Sequence, residues 1–207
     1  MTIDRIFLLA SGLVAVYLLW RFYTRYNKQK ALFDVYYMLG FAVLLVSGLL
    51  LIFFGYSILA SPYVLTVATL IPLGISLGLT NQYATQYKKV YSWFALIGFL
   101  AIAVSSIAGL ESLKTIAVPL FHGVAGLIIT LLPIIASRSG RAPNGFWWVG
   151  VGGVLIGLGG IALAFLSIDS QLLFFSQDFV FTILAPLLFL MTLAFAIGFV
   201  KDILHSE

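Results

Sequence analysis

One side chain within the apolar stretches of this chain can exchange a proton near neutral pH: His122, three residues beyond Pro119 and beside Gly123. An imidazole in that setting has three chemistries open to it, namely ligation of haem or metal, proton relay, and a polar contact to a bound quinone. A bis-histidine haem needs a second intramembrane histidine, and the only other one, His205, sits in the tail at the opposite end. A metal site needs several ligands, and no carboxylate or further histidine is near His122 in sequence. The plainer role is a neutral ring hydrogen-bonded to a backbone carbonyl. Both readings stay open, with His122 the one candidate cofactor-binding residue and no cofactor implied.

The other ionisable groups fall in loops or within about a turn of the ends of the apolar stretches. Asp34 and Asp178 stand at the entrances of two of them, where a carboxylate meets unpaired N–H groups and the positive end of the helix dipole, so both read as capping groups. Thr66, Thr69, Thr115 and Thr182, together with His122, are the polar side chains that a pocket for an uncharged solute would use. Cysteine is absent, which removes disulfides, thiolate metal sites, iron–sulfur clusters and thiol nucleophiles together. Phosphate cradles, nucleophile elbows and zinc-protease motifs are missing too. A retinal Schiff base would need a lysine midway along the last apolar stretch, and Lys201 lies only at its end. No catalytic and no metal-binding residue is assigned, and the chain reads as a non-enzyme.

The elements that position these residues follow from composition. Of the 207 residues, 62% are hydrophobic and 9% charged, against about 25% charged in a typical soluble domain. The apolar residues come in blocks of roughly 17 to 25, the length a helix needs to cross hydrocarbon. Lipid leaves open strands with unpaired backbone groups, and the alternating segments of a barrel are lacking. The expectation is an all-α integral membrane bundle, a single domain of seven spans at about 6–22, 35–54, 63–80, 91–110, 115–136, 146–168 and 179–200. The chain opens without a basic n-region or a small-residue cleavage site, so the first stretch reads as a mature helix.

The cations mark sidedness. Arg21, Arg25, Lys28, Lys30, Lys88, Lys89, Arg138, Arg141 and Lys201 follow odd-numbered spans, whereas Arg5 and Lys114 lie on the other side. The positive-inside rule then places the N-terminus outside and the C-terminus in the cytoplasm, as an odd span count requires. The net charge of +4 therefore serves topology, and no nucleic acid is expected as a partner. Aromatic clusters such as Tyr36-Tyr37 and Phe146-Trp147-Trp148 suit the headgroup level.

Spans two to seven read as three helical hairpins behind a leading helix, the first helix of each pair opening with aromatics and the second carrying proline at Pro72, Pro119 or Pro186. If these prolines bend their helices at similar depth, they would surround a cavity. Small residues recur at helical spacing, at Gly74 and Gly78 and at Gly153, Gly157, Gly160 and Ala164, and such stripes let helices approach closely. With glycine on more than one face, the sixth span is expected to be the most buried.

The connection Gly55-Tyr56-Ser57-Ile58-Leu59-Ala60-Ser61-Pro62-Tyr63 resembles that of an uncharacterised, mainly archaeal family of predicted multi-pass membrane proteins, with its Tyr-x-x-Leu…Pro turn. The resemblance covers this loop and the span layout. It implies a prokaryotic membrane protein and carries no activity. The leading functional expectation is a non-catalytic subunit or scaffold of a membrane assembly in the cell membrane, in contact with lipid and with partner chains or copies of itself. The alternatives are a small channel or transporter for an apolar or uncharged solute, and a quinone- or haem-associated electron-transfer subunit using His122.

Overall fold

The computed structural model describes residues 3–167 and 177–206, with the side chains of 161–167, 177 and 178 outside that description. The small-residue position Ala164 and the capping role expected of Asp178 therefore lie outside the described residues. The helices are α1 (Ile3–Gln29), α2 (Leu32–Phe54), α3 (Pro62–Ala68), α4 (Leu70–Tyr83), α5 (Lys88–Ile107), α6 (Glu111–Arg138), α7 (Trp148–Ser167) and α8 (Gln177–Ser206). No strand occurs among the described residues. Since α3 and α4 are two parts of one span, Pro62–Tyr83, six spans are long and apolar enough to cross a membrane, and α7 is the further apolar helix. Large apolar side chains such as Leu13, Phe53, Trp93, Ile116 and Leu127 cover the outer surface. That surface is fit for lipid rather than water. The chain is an all-α, multi-pass membrane bundle.

Helix α1 packs on α2 and α8, α2 on α4, α4 on α6, α6 on α7 and α7 on α8, which closes six spans into a ring. Outside the ring, α5 lies against α3, α4 and α6. This backing explains why, among the described residues, the third span rather than the sixth is the most buried. From Ile71 to Thr80 only Leu77 escapes full burial, while Val154 and Leu158 of α7 remain exposed. The three expected hairpins each pack as pairs, but they are not equivalent, because α5 stands outside the ring that holds its counterparts α2 and α7.

Proline acts differently in the three places. The third span is interrupted at Thr69, three residues before Pro72, whose ring displaces the hydrogen bond to the Ala68 carbonyl. By contrast, α6 continues through Pro119 and Pro133, and α8 through Pro186. Only one of the three expected bends is thus a break in the helix.

The small residues divide as well. A Cβ on Gly74 would stand 2.7 Å from the Tyr36 carbonyl oxygen and 2.8 Å from the Gly40 nitrogen, so α2 and α4 touch backbone to backbone. A Cβ on Gly153 would lie 2.8 Å from the Thr130 nitrogen of α6, and one on Gly78 would enter the Tyr37 ring. At Gly157 and Gly160 it would meet nothing within 4 Å. The first three glycines seat contacts inside the bundle, where dispersion and close backbone approach replace the hydrophobic driving force that lipid cannot supply.

Candidate functional site

Aromatic rings fill one half of the ring of helices. Phe22 of α1, Tyr37 and Phe41 of α2, and Phe195 and Phe199 of α8 are fully buried, with Phe146 from the α6–α7 connection packed on Phe199. Ring centroids lie 4.7 Å apart for Tyr37–Phe199, 5.0 Å for Phe22–Tyr37 and 5.3 Å for Phe22–Phe199. Such mixed tilted and edge-on contacts suit the ring quadrupoles.

The buried faces of α1 and α8 continue beyond this aromatic layer into charged residues. Leu18, Phe22 and Arg25 share one helical face, as do Phe195, Phe199 and Asp202, and all six are buried. Arg25 is 0% exposed, with its guanidinium 5.6 Å from the Phe22 ring centroid and 5.1 Å from that of Phe33. Its Nε donates to Asp34 Oδ1 at 2.8 Å, its Nη2 pairs with the same oxygen at 2.6 Å, and its Nη1 donates to Asp202 Oδ2 at 2.7 Å. Asp202 also accepts from Gln82 Nε2 at 3.0 Å, and its Oδ1 accepts from the Tyr83 hydroxyl. The Tyr37 hydroxyl donates to Gln82 Oε1 at 2.8 Å. Five polar residues thereby join α1, α2, α4 and α8 around one guanidinium.

Asp34 is therefore not a cap. It is the third residue of α2, no side chain caps that helix, and the carboxylate turns across to Arg25. Its Oδ2 is buried without a hydrogen-bond partner. Arg25 likewise does more than mark sidedness. A buried charge held this closely is costly to leave unpaired, so the cluster fixes the relative positions of the four helices it joins.

Beside the cluster, a cavity of about 460 Å³ opens at the basic end, lined by Gln82, Tyr83, Gln86, Arg141, Asp202 and His205 among others. At its mouth Arg141 is held by bonds from Nη1 to the Tyr83 carbonyl, 2.9 Å, and from Nε to Ser139 Oγ, 3.0 Å. Asp202 belongs both to the buried cluster and to the cavity wall.

The sequence-derived candidates are spread elsewhere. His122 is half-buried on α6 with Nδ1 3.2 Å from the Val118 carbonyl oxygen of its own helix. That is not the carbonyl of Thr115, the one Pro119 leaves without its helical donor. No group of three or more His, Cys, Asp or Glu side chains gathers among the described residues. Thr66 and Thr69 are buried where α3 meets α4, and their hydroxyls donate to Pro62 O at 2.8 Å and Thr66 O at 2.7 Å. Thr115 is exposed and bonds to Glu111 O at 2.8 Å. Thr182, also exposed, borders a second cavity with Asp4, Tyr56 and Phe181 at the opposite end of the bundle from Arg25. Thr115 and Thr182 belong to α6 and α8, which α7 separates in the ring. The structure brings Thr66 and Thr69 together and leaves the others apart. Comparison with protein-family models, curated proteins and solved structures gives no match for the chain.

Proposed function

We propose that this protein is a non-catalytic subunit or scaffold of a membrane assembly, seated in the cell membrane, that works by packing against partner chains or copies of itself. The observation that carries this reading is the aromatic cluster that joins α1, α2 and α8 inside the ring of helices, tied at its end by the Arg25 cluster. Such a centre suits a bundle that holds one shape better than one that opens a passage. Glycines on the outside of neighbouring helices add to it. A Cβ at Gly123 or Gly126 of α6, or at Gly157 or Gly160 of α7, would meet nothing within 4 Å, leaving room for another helix to come close. The likeness of the Gly55–Tyr63 connection to mainly archaeal proteins favours a prokaryotic membrane.

Gentle detergent extraction of the tagged protein from its native membrane, followed by mass measurement of the intact particle, tests the proposal. The expected particle contains further polypeptide, either a second chain or more than one copy. A particle holding a single 22.6 kDa chain with only lipid and detergent would overturn it.

A further inference from the structure

We propose that the cavity at the basic end binds a primary ammonium group carried next to an anionic one, the zwitterion shared by ethanolamine phospholipid headgroups and free phosphoethanolamine. The first argument is charge. Within the buried cluster two carboxylates, Asp34 and Asp202, face one guanidinium, all 5% exposed or less at the side chain. One negative charge is left over in surroundings where an uncompensated charge is expensive. Asp34 is sealed inside, whereas Asp202 reaches the cavity wall, so Asp202 is where a cation from outside meets the cluster.

The second argument is hydrogen bonding. Asp202 Oδ1 accepts one bond, from Tyr83, and a carboxylate oxygen has capacity for about two. That remaining capacity suits an N–H-bearing cation, and Gln86 on the same wall carries an amide oxygen as a further acceptor, whereas the Gln82 oxygen is taken by the Tyr37 hydroxyl. A quaternary ammonium has no N–H to give, and is recognised instead by aromatic faces. The third is the opposite charge at the rim. Arg141, fixed by the Tyr83 carbonyl and Ser139, presents a guanidinium suited to phosphate, with His205 on the same wall. Tyr83 belongs to the last turn of α4 and Arg141 follows the end of α6, so the cavity lies at the depth of lipid headgroups. The inference goes beyond the proposed function, since a scaffold and a transporter would use such a site equally well.

The test uses the full-length protein reconstituted in bilayers of equal parts ethanolamine, choline and glycerol phospholipid. Native mass spectrometry after release reads the lipids retained, and thermal unfolding in neutral detergent with added phosphoethanolamine reads the soluble headgroup. Retention of the ethanolamine lipid roughly tenfold above the choline lipid is expected, the size of one charge-assisted hydrogen bond, with that preference lost in Asp202→Asn; Arg141→Gln, which removes the partner of the phosphate the lipids share, should lower retention of ethanolamine and choline lipid together and leave their ratio unchanged. Arg141 is exposed, so its variant keeps the test valid should Asp202→Asn fail to fold. Stabilisation by phosphoethanolamine as well would show that the headgroup alone suffices, and stabilisation only by the lipid would show that its chains contribute. Equal retention of the three lipids without any shift from phosphoethanolamine overturns the proposal, as does an ethanolamine preference unchanged in Asp202→Asn, or a retention of phospholipid unchanged in Arg141→Gln. A preference for the glycerol lipid overturns it in favour of a plain anion site.

Discussion

Replacing Arg25 by methionine keeps most of the side chain's length and removes the cation that Asp34 and Asp202 share. Both carboxylates then stay buried, at 0% and 4% exposure, without their ion-pair partner. Removing one member of a buried ion pair typically costs about 3–5 kcal/mol. Asp34→Asn is the informative contrast. It takes away one of two carboxylates and leaves Arg25 paired with Asp202, so its loss is limited to that of a charge-assisted hydrogen bond, about 1.5–3 kcal/mol. The account therefore predicts a fixed order, with Arg25→Met losing more stability than Asp34→Asn. Reversible unfolding in mixed micelles, followed by tryptophan fluorescence, measures both. An Arg25→Met variant within about 1 kcal/mol of the parent would place the pair in the range of exposed salt bridges and refute the reasoning. Equal losses for the two variants would refute the charge imbalance specifically.

Other outcomes follow from the packing. Gly74→Ala puts a methyl group 2.7 Å from the Tyr36 carbonyl oxygen, with backbone on both sides, and should cost about 1–3 kcal/mol in the same unfolding assay. Gly157→Ala meets open space and should leave the isolated chain at least as stable, while larger residues there should reduce the share of the protein recovered in its intact assembly. Phe199→Ala empties a fully buried position that touches five other rings, and should lose about 3–5 kcal/mol.

The spans were legible in the sequence because lipid forces every backbone group to bond within its own helix, and long charge-poor stretches satisfy that requirement alone. The close contacts at Gly74, Gly78 and Gly153 were legible as a pattern, although the pattern did not separate them from the outward-facing Gly157 and Gly160. Sequence reasoning missed the polar cluster. Spans drawn to end near the first charges stopped at residues 22 and 200, whereas α1 runs to Gln29 and α8 to Ser206. The available signal was periodicity. Arg25 continues the face of Leu18 and Phe22, and Asp202 that of Phe195 and Phe199, so charges at core positions marked the bundle's end as packed. That Asp34 pairs with Arg25 could not be read from one strand of text, since the contact depends on how two helices turn about Lys30. His122 drew attention for its residue type, yet its nearest polar partner is a carbonyl one turn back.

Seven crossings, with the Arg25 cluster and its cavity at the cytoplasmic face, are the arrangement that the distribution of cations along the sequence predicts. The chain has no cysteine, so single cysteines at Ser57, Gln86 and Ser139, all exposed, report sidedness without background. In intact cells a membrane-impermeant thiol reagent should label Ser57→Cys and spare Gln86→Cys and Ser139→Cys, which should react only after permeabilisation. Labelling of Gln86→Cys or Ser139→Cys from outside, or protection of Ser57→Cys, would contradict this arrangement.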